Sequence, residues 1–271
     1  MSSDAPRLDP ALPGLDDRLV VPETRYEMLE GRLVHVSPAD LLHGTRHSKV
    51  SALLEAHAGL DFTVASDMLT RTSERSDIAP DVSVFPSAPH PITGKRQLEQ
   101  LAFEVVSTQS LGDAAGKAAQ LTARGVRRVF AIDVERSRAL EWSAALGTWS
   151  VLDPAGHIDD PALDAPLPIE ALVSTARADD AVARALLLKR NPVLVQKLAE
   201  GKAEGKAEGK AEGKAEGARS TAKALLLLLE QRGLPVTEKQ RRQVMACTDL
   251  TTVDRWLERA ITVASVDELL A

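Results

Sequence analysis

A four-residue repeat, Ala-Glu-Gly-Lys, runs from Ala199 to Gly217 and separates two parts of the chain with different patterns. At about 100° per residue, the four residue types fall on four different sides of a helix. Each glycine costs about 1 kcal/mol relative to alanine, and like charges meet at i,i+4. The repeat is therefore either a helical spacer with a small-residue stripe for self-association, or a low-complexity linker that is helical in part and frayed in part.

Upstream of the repeat, patterns typical of strands alternate with patterns typical of helices. Val50, Leu53, Leu54 and His57 recur at helical spacing, whereas several short apolar runs have the length of buried strands. This order predicts an α/β fold with a mixed central sheet flanked by helices. The predicted strands are Arg32–Val36, Phe62–Ala65, Val82–Phe85, Leu101–Val106, Arg128–Val134, Arg138–Ser143 and Thr148–Leu152, and the predicted helices are Leu42–Ala58, Leu111–Arg124 and Asp180–Lys197.

Downstream of the repeat, the segments have helical patterns only, which predicts a small all-α bundle over residues 218–271. A helix and the repeat form a linker over residues 176–217, and the polar, Pro-rich residues 1–21 predict a flexible leader. Four bundle helices are predicted. Two of them span Thr221–Arg232 and Val253–Val263, and the other two begin at caps formed by Thr237 with Gln240 and by Ser265 with Glu268.

Composition narrows the class of protein. The single cysteine, Cys247, cannot form an internal disulfide, which fits a reducing compartment. The longest apolar run, Ala224 to Leu229, is far shorter than the roughly 20 residues that span a bilayer. We therefore expect a cytoplasmic protein. The net charge of −6 argues against a protein that coats DNA through many Lys and Arg contacts to phosphate.

Glu104 is the most informative single residue, because it lies within a run typical of a buried strand. Alternation along that strand places Ala102, Glu104 and Val106 on one face and Phe103 and Val105 on the other. A buried, ionised carboxylate is costly unless it is paired or binds a metal. For an isolated glutamate, a hydrated strand face or a salt bridge to an arginine is the simpler interpretation.

Asp81 makes a metal-binding role for Glu104 more favourable, since it follows Pro80 at the start of a second strand about twenty residues upstream. If the two strands are neighbours, Asp81 and Glu104 converge at one edge of the sheet. Two carboxylates and the carbonyl of Val105 suit a hard cation such as Mg²⁺, with Mn²⁺ as an alternative. The pair therefore predicts a metal site.

Lys117 lies at the border of the apolar stripe of the helix that follows. Its ammonium can reach back to the sheet edge, or the side chain can extend into solvent, which is the commoner outcome at such a border. Asp113 is explained as a carboxylate at the start of the helix, where Ser110 and Asp113 form a capping-box pattern and Gly125 ends the helix.

A larger set of residues occurs in a characteristic order over residues 22–155. Each piece is weak evidence alone, and the order and spacing together are specific. The set consists of Arg25–Leu33, Ser37-Pro38, His47 near the start of the next helix, Pro80-Asp81, Glu104–Ser107, Asp113, Lys117, Gly125 and Phe130–Asp133.

These residues resemble the bacterial putative restriction endonuclease family of the PD-(D/E)XK nuclease superfamily. The resemblance implies a nuclease-like domain over residues 22–175, an opening hairpin at Arg25–Leu33, and Glu27 as a supporting carboxylate. A solvent-facing hairpin residue is the alternative for Glu27. The chain departs from the superfamily at Val106, where a lysine is usual, and the resemblance implies that Lys117 replaces it.

With Asp81 and Glu104 as metal ligands and Lys117 assisting the attacking water, we expect a metal-dependent endonuclease, and the resemblance implies that its substrate is DNA. Because one active site cuts one strand, a homodimer is compatible with this activity. The alternative, from a different class, is a nuclease-like fold used for binding, with the helical tail mediating assembly.

Overall fold

In the computed structural model, the described residues are 12–36, 39–107 and 110–271, without the side chains of Glu23 and Thr175. The pair Ser37-Pro38 and residues 1–11 of the expected leader lie outside these ranges. The chain divides into two compact units, of which the first ends at Asn191 and the second spans Pro192–Ala271. Among the described helices, none has both the length and the apolar character needed to cross a bilayer.

A six-stranded mixed sheet forms the centre of the first unit, in the order β10-β9-β8-β7-β6-β3. Strands β7 and β8 are parallel, and the other neighbours are antiparallel. The predicted α/β class with a mixed sheet is confirmed. Its strands are β3 (Phe62–Ser66), β6 (Val82–Pro86), β7 (Leu101–Val106), β8 (Arg128–Asp133), β9 (Arg138–Ser143) and β10 (Thr148–Val151), within two residues of the predicted bounds.

A second, four-stranded antiparallel sheet has the order β2-β1-β5-β4. The family resemblance predicts its β1–β2 hairpin, but β4 and β5 carry mainly polar residues and give no apolar signal in the sequence. A short antiparallel pair, β11–β12, completes the strands. The bounds are β1 (Tyr26–Leu29), β2 (Arg32–His35), β4 (Thr70–Ser73), β5 (Ser76–Ile78), β11 (His157–Ile158) and β12 (Leu167–Pro168).

The two faces of β7 meet different layers, as the alternation of its residues predicts. Phe103 and Val105 belong to a core cluster with residues of α1 (Leu41–His57), α3 (Ile169–Val173) and α4 (Thr175–Leu188). Ala102, on the other face, packs with α2 (Leu111–Arg124) and with Ile78 of the four-stranded sheet. Glu104 shares the face of Ala102. Its carboxylate therefore lies in the layer that contains α2.

Local caps explain where the site-bearing helices begin. The Asp40 side chain accepts a hydrogen bond from the His43 amide and caps α1. The predicted capping box is present at α2, where Ser110 and Asp113 bond each other's backbone amides and Gly125 follows in a left-handed conformation. These caps set the phase of each helix, and hence which residues face the sheet.

The predicted helix Asp180–Lys197 is wrong, because two helices occupy this region. Helix α4 ends at Leu188, Arg190 has a φ of 54°, and α5 begins at Pro192. Proline disfavours a helical conformation at the residue before it and is itself well suited to the first turn. Asn191-Pro192 therefore ends one helix and begins another.

The second unit contains α5 (Pro192–Gln231), a helix of 40 residues that includes the whole repeat. The repeat is exposed, whereas Ala218, Ala222, Leu225 and Leu229 at the end of α5 are buried against the remaining helices. The predicted helix Thr221–Arg232 is thus the end of a longer one. The caps at Thr237 and Ser265 are present as predicted, and the other helices are α6 (Glu238–Ala246), α7 (Leu250–Arg259) and α8 (Val266–Leu270).

Part of the expected leader contacts the first unit. The backbone amides of Leu19 and Val20 donate to Oδ2 of Asp77, and the Leu15 carbonyl accepts a hydrogen bond from the Arg71 amide. Asp77 is fully buried in β5. Ordered contacts with the domain therefore begin before residue 22.

Candidate functional site

Asp81 and Glu104 come from neighbouring antiparallel strands. Val82 pairs with Phe103, so the same register continued by one residue places Asp81 opposite Glu104. Directly opposite residues have Cβ atoms about 4.5–5.5 Å apart and share a face of the sheet. Oδ2 of Asp81 also accepts a hydrogen bond of 2.5 Å from the Val105 amide. The structure therefore brings the two predicted carboxylates side by side.

Lys117 reaches back to the sheet from α2. Its Nζ lies 3.5 Å from Oε2 of Glu104 and 3.0 Å from Oε1 of Glu27. Glu27 is buried in β1, and its Oε1 also accepts a hydrogen bond from the Ala79 amide at 2.9 Å. The solvent-facing alternative for Glu27 is therefore wrong. One ammonium joins carboxylates of the two sheets.

The electrostatics of Glu104 follow from its complete burial. Burial raises the pKa of this carboxyl to about 8, opposed by the charge of Lys117 and reinforced by those of Asp81 and Glu27. Burial lowers the pKa of Lys117, but Glu104 and Glu27 outweigh it and raise that pKa above its ordinary value. Among the described atoms, Oε1 of Glu104 has no hydrogen-bond partner. With a pKa of about 8 this carboxyl is mostly protonated at neutral pH, so a cation that binds the unpartnered oxygen must displace the proton.

Two histidines of α1 contact Asp81 from the other side. His43 Nε2 lies 3.4 Å from Oδ1 of Asp81, and His47 Nε2 lies 2.6 Å from the Asp81 carbonyl, to which it donates. Hydrogen bonding to Asp81 raises the pKa of His43. Burial raises the pKa of Asp81, but the bond and charge of His43 outweigh it and lower that pKa overall. The aspartate is thereby held as the anion.

Sequence reasoning missed the site role of His43 and of Asp67. The i,i+4 spacing of His43 and His47 on one helix face was a usable signal. Asp67 lies between β3 and β4 with a φ of 53°, and its amide donates to the Asp81 carbonyl at 3.2 Å. Burial raises the pKa of Asp67. Nothing in the local sequence pattern indicates this position.

These groups surround a cavity of about 610 Å³ in the first unit. Its polar side includes Asp81, Lys117, His43 and His47, whereas Glu104 lies behind Lys117 and does not line it. The side chains of Asp81 and Lys117 are 14% and 12% exposed, respectively. Asp81 and Glu27 thus line the recess, whereas Glu104 is completely buried.

The donor set fits a hard cation that keeps much of its water. Within the described ranges, no three His, Cys, Asp or Glu side chains form a group able to hold a metal ion. The site instead offers two adjacent carboxylates, one of them with an oxygen that lacks a hydrogen-bond partner. Mg²⁺ is bound in proteins by one or two carboxylates with several waters. The residues present therefore match such an ion.

Comparison with protein families matches residues 15–168, more than half of the chain, to the Uma2 model, described as "Putative restriction endonuclease". The chain belongs to the Uma2 family. This assignment confirms the resemblance in the sequence to a restriction-endonuclease-like family. The Uma2 match contains Glu27, Asp81, Glu104 and Lys117 and ends before the repeat.

Among solved structures, the Uma2 domain is similar to a protein from Anabaena variabilis ATCC 29413 described as a "putative nuclease belonging to DUF820". The two chains are 16% identical, with a TM-score of 0.47, and the match covers 56% of this chain and 90% of the other. Comparison with curated proteins gave no match.

Proposed function

We propose that the first unit is a divalent-metal-dependent endonuclease that hydrolyses phosphodiester bonds of DNA. The observation that carries the proposal is the placement of Asp81 opposite Glu104, with the Lys117 ammonium on the Glu104 carboxylate. Two carboxylates on neighbouring strands and a lysine, with Asp81 and Lys117 lining the recess, match the chemistry that phosphodiester hydrolysis requires. Membership of the Uma2 family supports nuclease chemistry in general.

Asp81, Glu104 and the Val105 carbonyl would hold the ion, with Mg²⁺ or Mn²⁺ as the candidates. A bound divalent ion lowers the pKa of a water and neutralises charge on the phosphate. Asp81 is held in place for this role because its carbonyl accepts from His47 and its carboxylate from Val105. Asp81 is therefore preorganised at the recess.

Lys117 supplies the fixed positive charge of the site. Its ammonium contacts Glu104 and lines the cavity, where it orients the attacking water or offsets negative charge on the phosphate. The nearer partner of Nζ is Glu27, at 3.0 Å against 3.5 Å for Glu104. Glu27 therefore keeps Lys117 at the cavity when Glu104 binds a cation.

The test is cleavage of labelled single-stranded and duplex DNA by the full-length protein in Mg²⁺ or Mn²⁺. Asp81→Asn and Glu104→Gln should each lower the rate by 100-fold or more, about 2.7 kcal/mol in activation free energy. Glu55→Gln, an exposed carboxylate on α1, is the matched control and should cleave normally. Cleavage that persists in both site variants would overturn the assigned residues.

The alternative function, a nuclease-like fold used for binding, is favoured by one observation. Glu104 and Glu27 are already paired with Lys117, so the described side chains neutralise much of the acidic charge without a metal. In that case DNA binds with no cleavage, and divalent ions leave the melting temperature unchanged. Metal-dependent cleavage abolished by Asp81→Asn excludes this alternative.

A further inference from the structure

The lining of the cavity also includes aromatic and apolar residues. Tyr26, the only tyrosine of the chain, lines it together with Pro22, Val36 and Leu69. Neither metal binding nor bond cleavage uses these residues. The lining thus combines charged side chains with an aromatic ring and apolar residues, a composition typical of a pocket for a small organic group.

The Tyr26 ring has a fixed position in this lining. Tyr26 pairs with His35 across the β1–β2 hairpin, and the two rings meet edge to face at 5.3 Å between centroids. His35 therefore supports the tyrosine from the side, and the ring remains half-buried. A ring held in this way can stack on a planar ligand with little loss of conformational freedom.

Arg25, the residue before Tyr26, also lines the cavity. It has a φ of 56°, a left-handed conformation that is unfavourable for a residue with a Cβ. Its carbonyl accepts a hydrogen bond from the Val36 amide at 2.9 Å, which holds this conformation. Such outliers cluster at ligand-binding positions, and the Arg25 side chain lines the cavity.

A nucleotide suits this lining, since its phosphate can pair with Lys117 or Arg25 and its base can stack on the Tyr26 ring. In duplex DNA the bases are stacked and paired. An aromatic ring beside the scissile phosphate can therefore stack only on a base that is unpaired and out of the duplex stack. Proteins that bind single strands combine aromatic stacking with positive charge in this manner. The recess of Asp81 and Lys117 likewise favours a flexible strand over a rigid duplex.

We propose that the cavity takes one unpaired nucleotide adjacent to the scissile phosphate, with its base stacked on Tyr26 and the backbone beside Arg25. The substrate class of the enzyme is then single-stranded DNA. This inference rests on the proposed nuclease function, since it assigns the strand form on which the same site acts.

The binding test uses the full-length protein in EDTA, so that affinity is measured without cleavage. Fluorescence anisotropy compares a labelled oligothymidine strand with a hairpin duplex. Tyr26→Leu should weaken binding of the single strand by about 10-fold, the loss of one base–aromatic stack, and Tyr26→Phe should preserve it. Phe85→Leu makes an equivalent change at a residue that does not line the cavity and should have no effect.

A second measurement begins with the unaltered protein, so that its main result does not depend on the folding of a variant. A single abasic site is moved along the strand, and cleavage is followed in Mn²⁺. Affinity and rate should fall when the missing base is the one adjacent to the cut phosphate, and Tyr26→Leu should abolish that positional effect. Equal binding and cutting of duplex and single strands, or no positional effect, would overturn the single-strand assignment.

The two proposals fail in different ways. Absence of metal-dependent cleavage on every DNA form refutes the proposed function, whatever the binding preference. Cleavage that is lost in Asp81→Asn but shows no strand preference supports the nuclease and refutes the role of Tyr26. Cleavage with a single-strand preference that Tyr26→Leu removes supports both.

Discussion

The Lys117 ammonium lies 3.5 Å from Oε2 of Glu104, a carboxylate that is completely buried. The lysine comes from α2 and the glutamate from β7, so the pair joins a helix to the central sheet. Removing one member of a buried ion pair leaves an uncompensated charge, which costs more than the pair contributes. The relationship therefore has consequences for stability as well as for catalysis.

We expect Lys117→Met, measured above the Glu104 pKa of about 8, to lower the free energy of unfolding by up to about 3–5 kcal/mol, because two buried carboxylates lose their partner. Adding Glu104→Gln to this variant should restore much of the loss, since it removes one uncompensated charge. Urea denaturation of the single and double variants measures the coupling. Strictly additive effects would show that the two residues do not interact in solution.

We expect Mg²⁺ or Mn²⁺ to raise the melting temperature, because an ion that binds only the folded state stabilises it. The increase in unfolding free energy is about 2.7 kcal/mol at 100 times the dissociation constant. Asp81→Asn and Glu104→Gln should each abolish this gain, whereas the surface variant Glu55→Gln should keep it. Differential scanning fluorimetry against metal concentration makes the comparison, and an equal gain in all variants would place the ion elsewhere.

We expect acid to destabilise the protein partly through His57, which lies far along α1 from the site. Burial lowers the pKa of His57 below its ordinary value of 6.5, and the charge of Lys189 lowers it further, against a hydrogen bond to the Leu53 carbonyl. The unfolded chain therefore binds a proton that the folded state does not. Stability is fully present above pH about 6.5 and falls as pH decreases towards the folded pKa, by up to about 1.4 kcal/mol per pH unit.

The control for His57 is a residue of similar size that does not titrate. Chemical denaturation of the unaltered protein and of His57→Leu between pH 5 and pH 8, about the range in which histidine titrates, compares their slopes. The variant should show a smaller decrease in stability below pH about 6.5. Parallel curves would assign the acid sensitivity to other groups.

We expect Gly205→Ala and Gly209→Ala to stabilise α5. A Cβ added at either glycine would meet no atom within 4 Å, so the substitution introduces no clash. Each should add about 1 kcal/mol to helix stability. Gly217→Ala is the comparison variant at a position that is not open to solvent on all sides, since its Cβ would contact Leu250 at 3.5 Å. Thermal melting of the helical circular-dichroism signal should shift upward for the first two variants, and no shift would contradict an exposed helix through the repeat.

The sequence by itself determined the elements that carry the site. The bounds of β7 and α2 are those that the sequence predicts, because a continuous apolar run and a Ser110–Asp113 capping box are local signals. It also determined the ordered set of residues over 22–155 on which the family resemblance rests. It did not reveal the four-stranded sheet, because β4 and β5 are polar and give no apolar pattern. It also did not reveal that one helix ends and another begins at Asn191-Pro192, because a single proline is a weak signal within a long helical pattern.

Only the tertiary structure decided how those residues meet. The register between β6 and β7 places Asp81 opposite Glu104, and a shift of one residue would move the side chains to opposite faces. The placement of Glu27 at Lys117 depends on the packing of a second sheet, and that of His43 at Asp81 on the packing of α1. These contacts join residues that are distant in the sequence, and local periodicity carries no information about which distant residues come into contact.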